Sequence, residues 1–167
     1  CYQCRLGKVE FVEALVADVH REYIEAGAQL IQTNTFGSNG YKLAQHGLEK
    51  RVVEINQAAV ELARRVVMAS FKQVFIAGDV GPLGVRLAPF GRVQPEHARL
   101  VFAEQISALA RAGSDLIIIE TMTDLYEIRE AIAASRSVAP HLPIIASMTF
   151  TRDNRTLLGD SPAKVAR

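Results

Sequence analysis

Features that would place this chain at a membrane or on nucleic acid are missing from its sequence. The 167 residues contain no apolar run approaching the ~18 residues that a membrane-spanning helix requires. Basic and acidic residues nearly cancel, 19 against 18, and no block of like charge occurs. We therefore expect neither nucleic acid nor a membrane as a partner. No signal-peptide pattern opens the chain, so we expect a cytosolic protein.

Cysteine is also scarce. The sequence contains 2 cysteines, Cys1 and Cys4, which form one CxxC. A single CxxC without a second pair of ligands is a weak zinc signal, and the strand that precedes a thioredoxin-like motif is lacking. We therefore interpret this pair as part of a terminal segment without a metal or redox role.

Common catalytic motifs are absent as well. The chain has no G-x-G-x-x-G fingerprint, no P-loop and no G-x-S-x-G elbow. We expect His20 and His46 on exposed helix faces or near a helix end, His97 in a first helical turn and His141 in a loop. None of them follows a predicted strand, so the pattern argues against a nucleophile activated by histidine.

What the sequence does contain is a regular alternation of helical and strand patterns. With 49% hydrophobic residues, it can form one sizeable core. Helical periodicity predicts helices over residues 9–26, 48–69 and 95–112, one begun by a capping box at Asp124 and Glu127, and another beginning at Ser161-Pro162. Short apolar runs predict strands over residues 28–36, 74–82, 114–122 and 142–150. This order predicts right-handed βαβ units and a parallel sheet within a single α/β domain.

Every predicted strand ends in hydrogen-bonding side chains. They are Thr33, Asn34, Thr35, Asp79, Glu120, Thr121, Ser147 and Thr149. Because the carboxyl ends of parallel strands share one edge, where such folds bind ligands, these groups predict a binding site. Thr123 and Asp124 are expected to cap a helix, and Asp79 either pins its own loop or belongs to the site. Glu120 follows the buried run "LIII", so its carboxylate needs a cationic partner, for which a substrate ammonium would serve.

Four separate segments resemble the homocysteine S-methyltransferase family, in particular the homocysteine-binding domain of the cobalamin-dependent methionine synthase type. They are "HREYIEAGAQLIQTNTF", "AGDVGPLG", "GSDLIIIETMTDLYEIREAI" and "PIIASMTF", in the same order and spacing as in the family. The resemblance implies a (β/α)8 TIM barrel, of which this chain carries strands two to five. It also implies an enzyme that methylates the thiol of homocysteine to give methionine.

The same resemblance implies the binding residues and the cofactors. By this resemblance Glu120 contacts the amino-acid end of homocysteine, and Thr33, Asn34 and Phe36 line the pocket. Because neighbouring strand residues point to opposite sides, Thr33 and Asn34 do not both face the pocket unless the strand has already ended, and the sequence does not decide between them. Ser147 is added as a binding residue from its place at the end of the fourth strand. The complete family domain holds a catalytic zinc through three cysteines, and cobalamin or methylfolate can act through other domains. No cysteine of this chain matches those zinc ligands. We therefore predict a partial barrel over residues 1–167, without the first and the last three strands, that is inactive alone.

Two other interpretations remain open at this point. The chain could be a non-catalytic half-barrel that self-associates through its open sheet edges. It could also belong to another α/β-barrel enzyme that acts on a small amino acid. The sequence does not identify the methyl donor.

Overall fold

The architecture is a four-stranded parallel sheet in the order β1-β2-β3-β4, with helices packed on one of its faces. The computed structural model describes the backbone of residues 9–167 and the side chains from residue 13 onward. The strands are β1 (Leu30–Gln32), β2 (Phe75–Val80), β3 (Leu116–Met122) and β4 (Ile144–Met148). The helices are α1 (Val9–Glu25), α2 (Gly40–Ala44), α3 (Val52–Ser70), α4 (Pro95–Arg111), α5 (Leu125–Val138) and α6 (Pro162–Val165), and a 3₁₀-helix (Glu49–Arg51) precedes α3.

This order confirms the predicted α/β class and the parallel sheet. The strands are shorter than the apolar runs suggested, and β1 ends at Gln32, four residues before Phe36. The predicted loop over residues 37–47 contains α2, which the sequence analysis missed. This helix begins at Asn39, whose side-chain oxygen accepts the backbone N–H of Lys42 at 3.1 Å. Such a cap offsets the cost of starting a helix of only 5 residues.

Alternate residues of each strand point towards the helices and build the core. Ile76 and Val80 of β2 are fully buried there, as are Ile117 and Ile119 of β3. Gly78 lies between them on the same side, where a Cβ atom would stand 2.9 Å from the Ser114 hydroxyl oxygen. The absence of a side chain therefore lets this side of β2 pack closely against the chain between α4 and β3.

The other face of the sheet, which we call the open face, carries the remaining residues of each strand. It exposes Leu30 by 36%, Phe75 by 51% and Ile145 by 44% of their surface. Within residues 9–167, no helix covers this face and no strand pairs with the free edges of β1 and β4. Among those same residues, no helix is long and apolar enough to cross a bilayer.

The predicted capping box at the start of α5 is half correct. Asp124 caps the helix by accepting the backbone N–H of Tyr126 at 2.8 Å. Glu127 does not complete the box, because its side chain is buried and accepts the backbone N–H of Leu83 at 2.7 Å. Its place on the inner side of α5 directs it towards the loop after β2. Ser161 caps α6 as predicted, with Pro162 at the first helical position.

Candidate active site

Polar side chains from all four strands reach the carboxyl-end rim of the open face. They are Gln32, Asp79, Glu120 and Ser147. The strand register brings the middle two close together, because Asp79 pairs with Ile118 and Glu120 lies two residues further along the same face. Ser147 follows Ala146, the partner of Ile119 on the next strand. Asp79 and Glu120 therefore form an acidic pair at the centre of the rim, flanked by an amide and a hydroxyl.

Glu120 owes its direction to an irregularity in β3. The register between β3 and β4 shifts between Ile119 and Met122, and Thr121 adopts a φ of 59°. This extra residue lets Met122 pack fully buried in the core while Glu120 remains on the open face. The Glu120 side chain is half-buried and, in the part of the chain that the structure describes, forms no hydrogen bond or ion pair. The predicted cationic partner of this carboxylate is thus not supplied by the side chains of residues 13–167.

Asp79 is more deeply buried, at 5% exposure, and its Oδ1 atom has no hydrogen-bond partner among the described residues. Burial and the nearby charge of Glu120 raise the pKa of Asp79 to about 7, although Lys42 and a bond to the backbone of Val80 oppose the rise. Its carboxyl group therefore exchanges a proton near neutral pH. The sequence left open whether Asp79 fixes a loop or belongs to the site. The contacts to the neighbouring loop are made by the backbone of Asp79 and not by Oδ1, so this oxygen has no role in holding the loop.

The backbone of Asp79 is fixed by the loop after β1. Its N–H donates to the Thr33 hydroxyl oxygen at 3.0 Å, and its carbonyl accepts the Thr35 hydroxyl at 2.7 Å. The Thr33 and Thr35 hydroxyl oxygens are 2.6 Å apart. Since Thr35 donates to Asp79, Thr33 donates to Thr35, and both hydroxyls are fully engaged within the protein. Thr33 is buried, so in this conformation it supports the rim, whereas its neighbour Asn34 is exposed.

Two buried amide side chains hold the same loop from the side of the helices. Gln105 of α4 donates to the carbonyl of Thr35 at 2.8 Å and to the Asn56 side-chain oxygen at 3.3 Å. Asn56 of α3 in turn donates to the carbonyl of Ser38 at 2.9 Å. Both amides are fully buried. The loop is therefore held from the sheet and from two helices, which fixes the position of Asn34 and Phe36.

Phe36 lies against the end of β2 and beneath a lysine. A Cβ atom on Gly81 would stand 2.5 Å from the Phe36 ring, so the ring packs directly on the glycine backbone. On the ring lies the Lys42 ammonium, 4.4 Å from its centroid, in a cation–π contact. Burial lowers the pKa of Lys42, while the charges of Glu127 and Asp79 oppose the decrease. Sequence reasoning missed Lys42 because it predicted this segment as a loop.

A groove of about 550 Å³ runs along the free edge of β1 and includes Asp79. Its walls are Leu15, Val16, Val19, His20 and Tyr23 of α1, followed by residues 30–34.

The expectation that His20 is exposed was wrong: the residue is 7% exposed and its Nε2 has no partner among the described residues. It lies on the inner side of α1, and burial lowers the pKa of its imidazole. His97 instead contacts the Tyr41 ring edge to face, with centroids 5.9 Å apart.

The residues that the structure describes do not fit a zinc centre. Among the side chains of residues 13–167, no group of three or more His, Cys, Asp or Glu is arranged to hold a metal ion. Cys1 and Cys4, whose spacing prompted the zinc question, lie outside the described residues.

Comparison with known proteins agrees with this geometry. The family model described as homocysteine S-methyltransferase matches residues 6–167. The chain is 30% identical over 148 residues to a methionine synthase of Mycobacterium tuberculosis (strain ATCC 25618 / H37Rv), covering 84% of this chain and 12% of that protein. The methionine synthase of Mycobacterium leprae (strain TN) is 29% identical over the same length and shares.

Solved structures show the same similarity in three dimensions. The homocysteine methyltransferase MmuM from Escherichia coli in its oxidized form superposes with a TM-score of 0.79 at 26% identity, covering 92% of this chain and 58% of that one. The metallated form gives a TM-score of 0.74 at 28% identity, covering 90% and 56%. The parallel sheet and these superpositions thus place the chain in the α/β-barrel class. The chain belongs to the homocysteine S-methyltransferase family, and it spans 12% of the methionine synthases and 58% of MmuM.

Proposed function

We propose that this chain forms part of a cytosolic domain that transfers a methyl group to the thiol of homocysteine, giving methionine. Family membership over residues 6–167 supports the reaction class. In the transfer, the sulfur of homocysteine forms a bond to the methyl carbon, the thiol loses its proton, and the donor keeps the bonding electrons. Family membership also favours this activity over a non-catalytic half-barrel or another barrel enzyme.

The role we propose for residues 9–167 is to bind the amino-acid end of homocysteine. The observation that carries this role is the Glu120 carboxylate, half-buried at the rim and without a partner in the described chain. A substrate ammonium would supply the missing positive charge. Asn34, Phe36 and Ser147 lie around the same rim as candidate pocket residues, and Thr33 supports them from below.

We further propose that the zinc implied by the family, where it is present, takes its ligands from outside the described residues. The metal would stabilise the homocysteine thiolate. The described residues have a separate task, which is to orient the amino acid and to hold a proton at Asp79. The methyl donor, whether methylfolate with cobalamin, S-methylmethionine or betaine, would be bound by other parts of the protein.

The test is methyl transfer by the protein expressed from its complete gene. Incubation of L-homocysteine with each of these donors, labelled in the methyl group, should give labelled methionine with one of them. Glu120→Gln should raise the KM for homocysteine at least about thirtyfold, since removing one charge from a buried pair costs about 2–5 kcal/mol. Glu61→Gln, an exposed carboxylate on α3, is the matched control and should leave KM unchanged. Failure of every donor to give methionine would contradict the proposal.

A further inference from the structure

Asp79 combines a fixed backbone with an unused carboxylate oxygen. Its N–H and carbonyl are hydrogen-bonded to Thr33 and Thr35. The backbone is therefore fixed and cannot shift to bring the side chain into solvent. Nevertheless Oδ1 is buried and makes no hydrogen bond with the groups that the structure describes. A carboxylate that serves only the fold would have its oxygens paired. The residue also lines the groove beside β1, so this unpaired oxygen is buried next to a space that a ligand could occupy.

The charged groups around Asp79 come from four elements. Glu120 of β3 lies diagonally across on the open face and disfavours a second negative charge. Lys42 of α2 favours that charge, but it also acts on Glu127 of α5 and lies over the Phe36 ring. His20 of α1 lines the same groove, and burial keeps its imidazole largely neutral at pH 7. If both Asp79 and Glu120 were ionised, their negative charge would therefore exceed the positive charge that the described residues place near them.

We propose that Asp79 is a second ligand of the substrate ammonium, which binds between its carboxyl group and that of Glu120. The proposal rests on the proposed function, since it takes an amino acid to be the ligand. The chemistry is a simple exchange: the O–H bond of the carboxylic acid breaks, the proton passes to the buffer, and the carboxylate accepts an N–H of the ammonium. One positive charge between Glu120 and Asp79 then allows both acids to be ionised together.

The exchange has a measurable size. Because the pKa of Asp79 is about 7 in the free protein, binding at pH 7 should release about half a proton per site. Release should fall towards zero above pH 8.5, where Asp79 is already ionised. By linkage, the affinity should be about tenfold weaker at pH 6 than at pH 8.

Calorimetric titration of L-methionine into the complete protein tests the proposal. Methionine carries the same ammonium and carboxylate as homocysteine but no thiol, so its binding involves no thiol proton. Titrations at pH 7 in two buffers with different heats of ionisation give the number of protons released. The analogue 2-hydroxy-4-(methylthio)butanoate lacks the ammonium and should release none.

Variants assign the proton to a residue. Asp79→Asn should abolish the release and flatten the pH dependence of affinity between pH 6 and 8. Glu127→Gln, which alters another buried acid that holds the loop at Leu83, is the matched control and should release the same fraction as the wild type. Thermal unfolding of each variant verifies that it is folded. If Asp79→Asn does not fold, the number of protons released by the wild-type protein still tests the proposal.

The outcomes separate the two claims. If the wild-type protein binds neither methionine nor homocysteine, the proposed function fails. If it binds methionine without releasing a proton at pH 7, or if Asp79→Asn releases as many protons as the wild type, the role of Asp79 is overturned while the proposed function stands. Proton release on binding of the hydroxy analogue would also overturn it, because no ammonium would be present to exchange.

Discussion

Among single residues, Asp79 shows how a site can cost stability. An acid whose pKa is raised from 3.8 to about 7 holds its proton more tightly in the folded chain than in the unfolded chain. The penalty of ionising it is absent below about pH 3, grows between about pH 4 and 7, and is complete at about pH 8. Asp79→Asn should therefore stabilise the protein by about 1–4 kcal/mol at pH 8 and by much less at pH 4. Urea unfolding at both pH values measures the difference, and an equal effect at both would contradict the raised pKa.

Thr121 is a second residue that carries strain. Its φ of 59° is in the left-handed region, which costs an L-residue roughly 1–2 kcal/mol and suits a β-branched side chain poorly. Asparagine tolerates this conformation, and the side chain is exposed, so Thr121→Asn should stabilise the protein by about 0.5–1 kcal/mol. Thr149→Asn, at an exposed position where no such φ occurs, is the control and should give no gain. A loss of stability at position 121 would show that the threonine side chain favours the bulge.

Gly81 shows the opposite relation, in which the smallest residue is required by a neighbour. A Cβ atom there would lie 2.5 Å from the Phe36 ring and 2.7 Å from its backbone oxygen. Because the backbone cannot yield as a flexible side chain does, Gly81→Ala should destabilise the protein by about 1–3 kcal/mol. Gly37→Ala, whose Cβ would meet the Lys42 side chain only at 3.7 Å, should be nearly neutral. Chemical denaturation of the two variants compares them directly, and equal stabilities would refute the close approach.

Among the elements, the loop after β1 depends on the buried amides of α3 and α4. Gln105→Met preserves the size of the side chain but leaves the carbonyl of Thr35 and the oxygen of Asn56 without a donor from this residue. Such unsatisfied groups cost about 1–3 kcal/mol in total stability. Hydrogen exchange of the Asp79 and Ser38 amides should also accelerate. Gln57→Met, a half-exposed position on α3, should change stability by less than about 0.5 kcal/mol, and similar losses in both variants would argue against the network.

The elements also show what periodicity can and cannot predict. Helical spacing and apolar runs predicted four strands and the helices between them, because each pattern reports which face is buried. The same patterns gave the wrong environment for His20 and Glu127, whose burial depends on the neighbours of α1 and α5. The polar ends of the strands correctly predicted a rim, but the hydrogen bonds that end β1 at Gln32 join residues more than forty positions apart. Pairing across such distances leaves no local trace in the sequence.

The site itself was predicted in the same partial way. Glu120 was recognisable because a carboxylate directly after "LIII" is costly to bury. The acidic pair was not, since it arises from the register of β2 and β3. Lys42 and Gln105 had no signal, because one lies in a five-residue helix and the other resembles any polar helix position. The roles of all five residues in substrate binding remain predictions: Thr33, Asn34, Phe36, Glu120 and Ser147.

In the whole molecule, the open face and the two free edges of the sheet dominate the expected behaviour of the chain by itself. Leu30, Phe75 and Ile145 expose apolar surface on a face that no described helix covers. The groove beside β1 adds exposed Leu15, Val19 and Tyr23. Apolar patches and unpaired strand edges of this kind drive association in water. We therefore expect chain 1–167, purified alone, to form assemblies larger than its monomer mass of 18.3 kDa.

Light scattering coupled to size-exclusion chromatography measures that mass. The double variant Phe75→Lys and Ile145→Lys places two like charges on the open face and should shift the population towards the monomer. Leu100→Lys changes an apolar residue of α4 that is 68% exposed on the helical side, and it should leave the assemblies intact. If Leu100→Lys also shifted the population towards the monomer, the association would reflect the overall solubility of the chain and not the open face. A wild-type chain that ran as a stable monomer would contradict the expectation that the open face drives association.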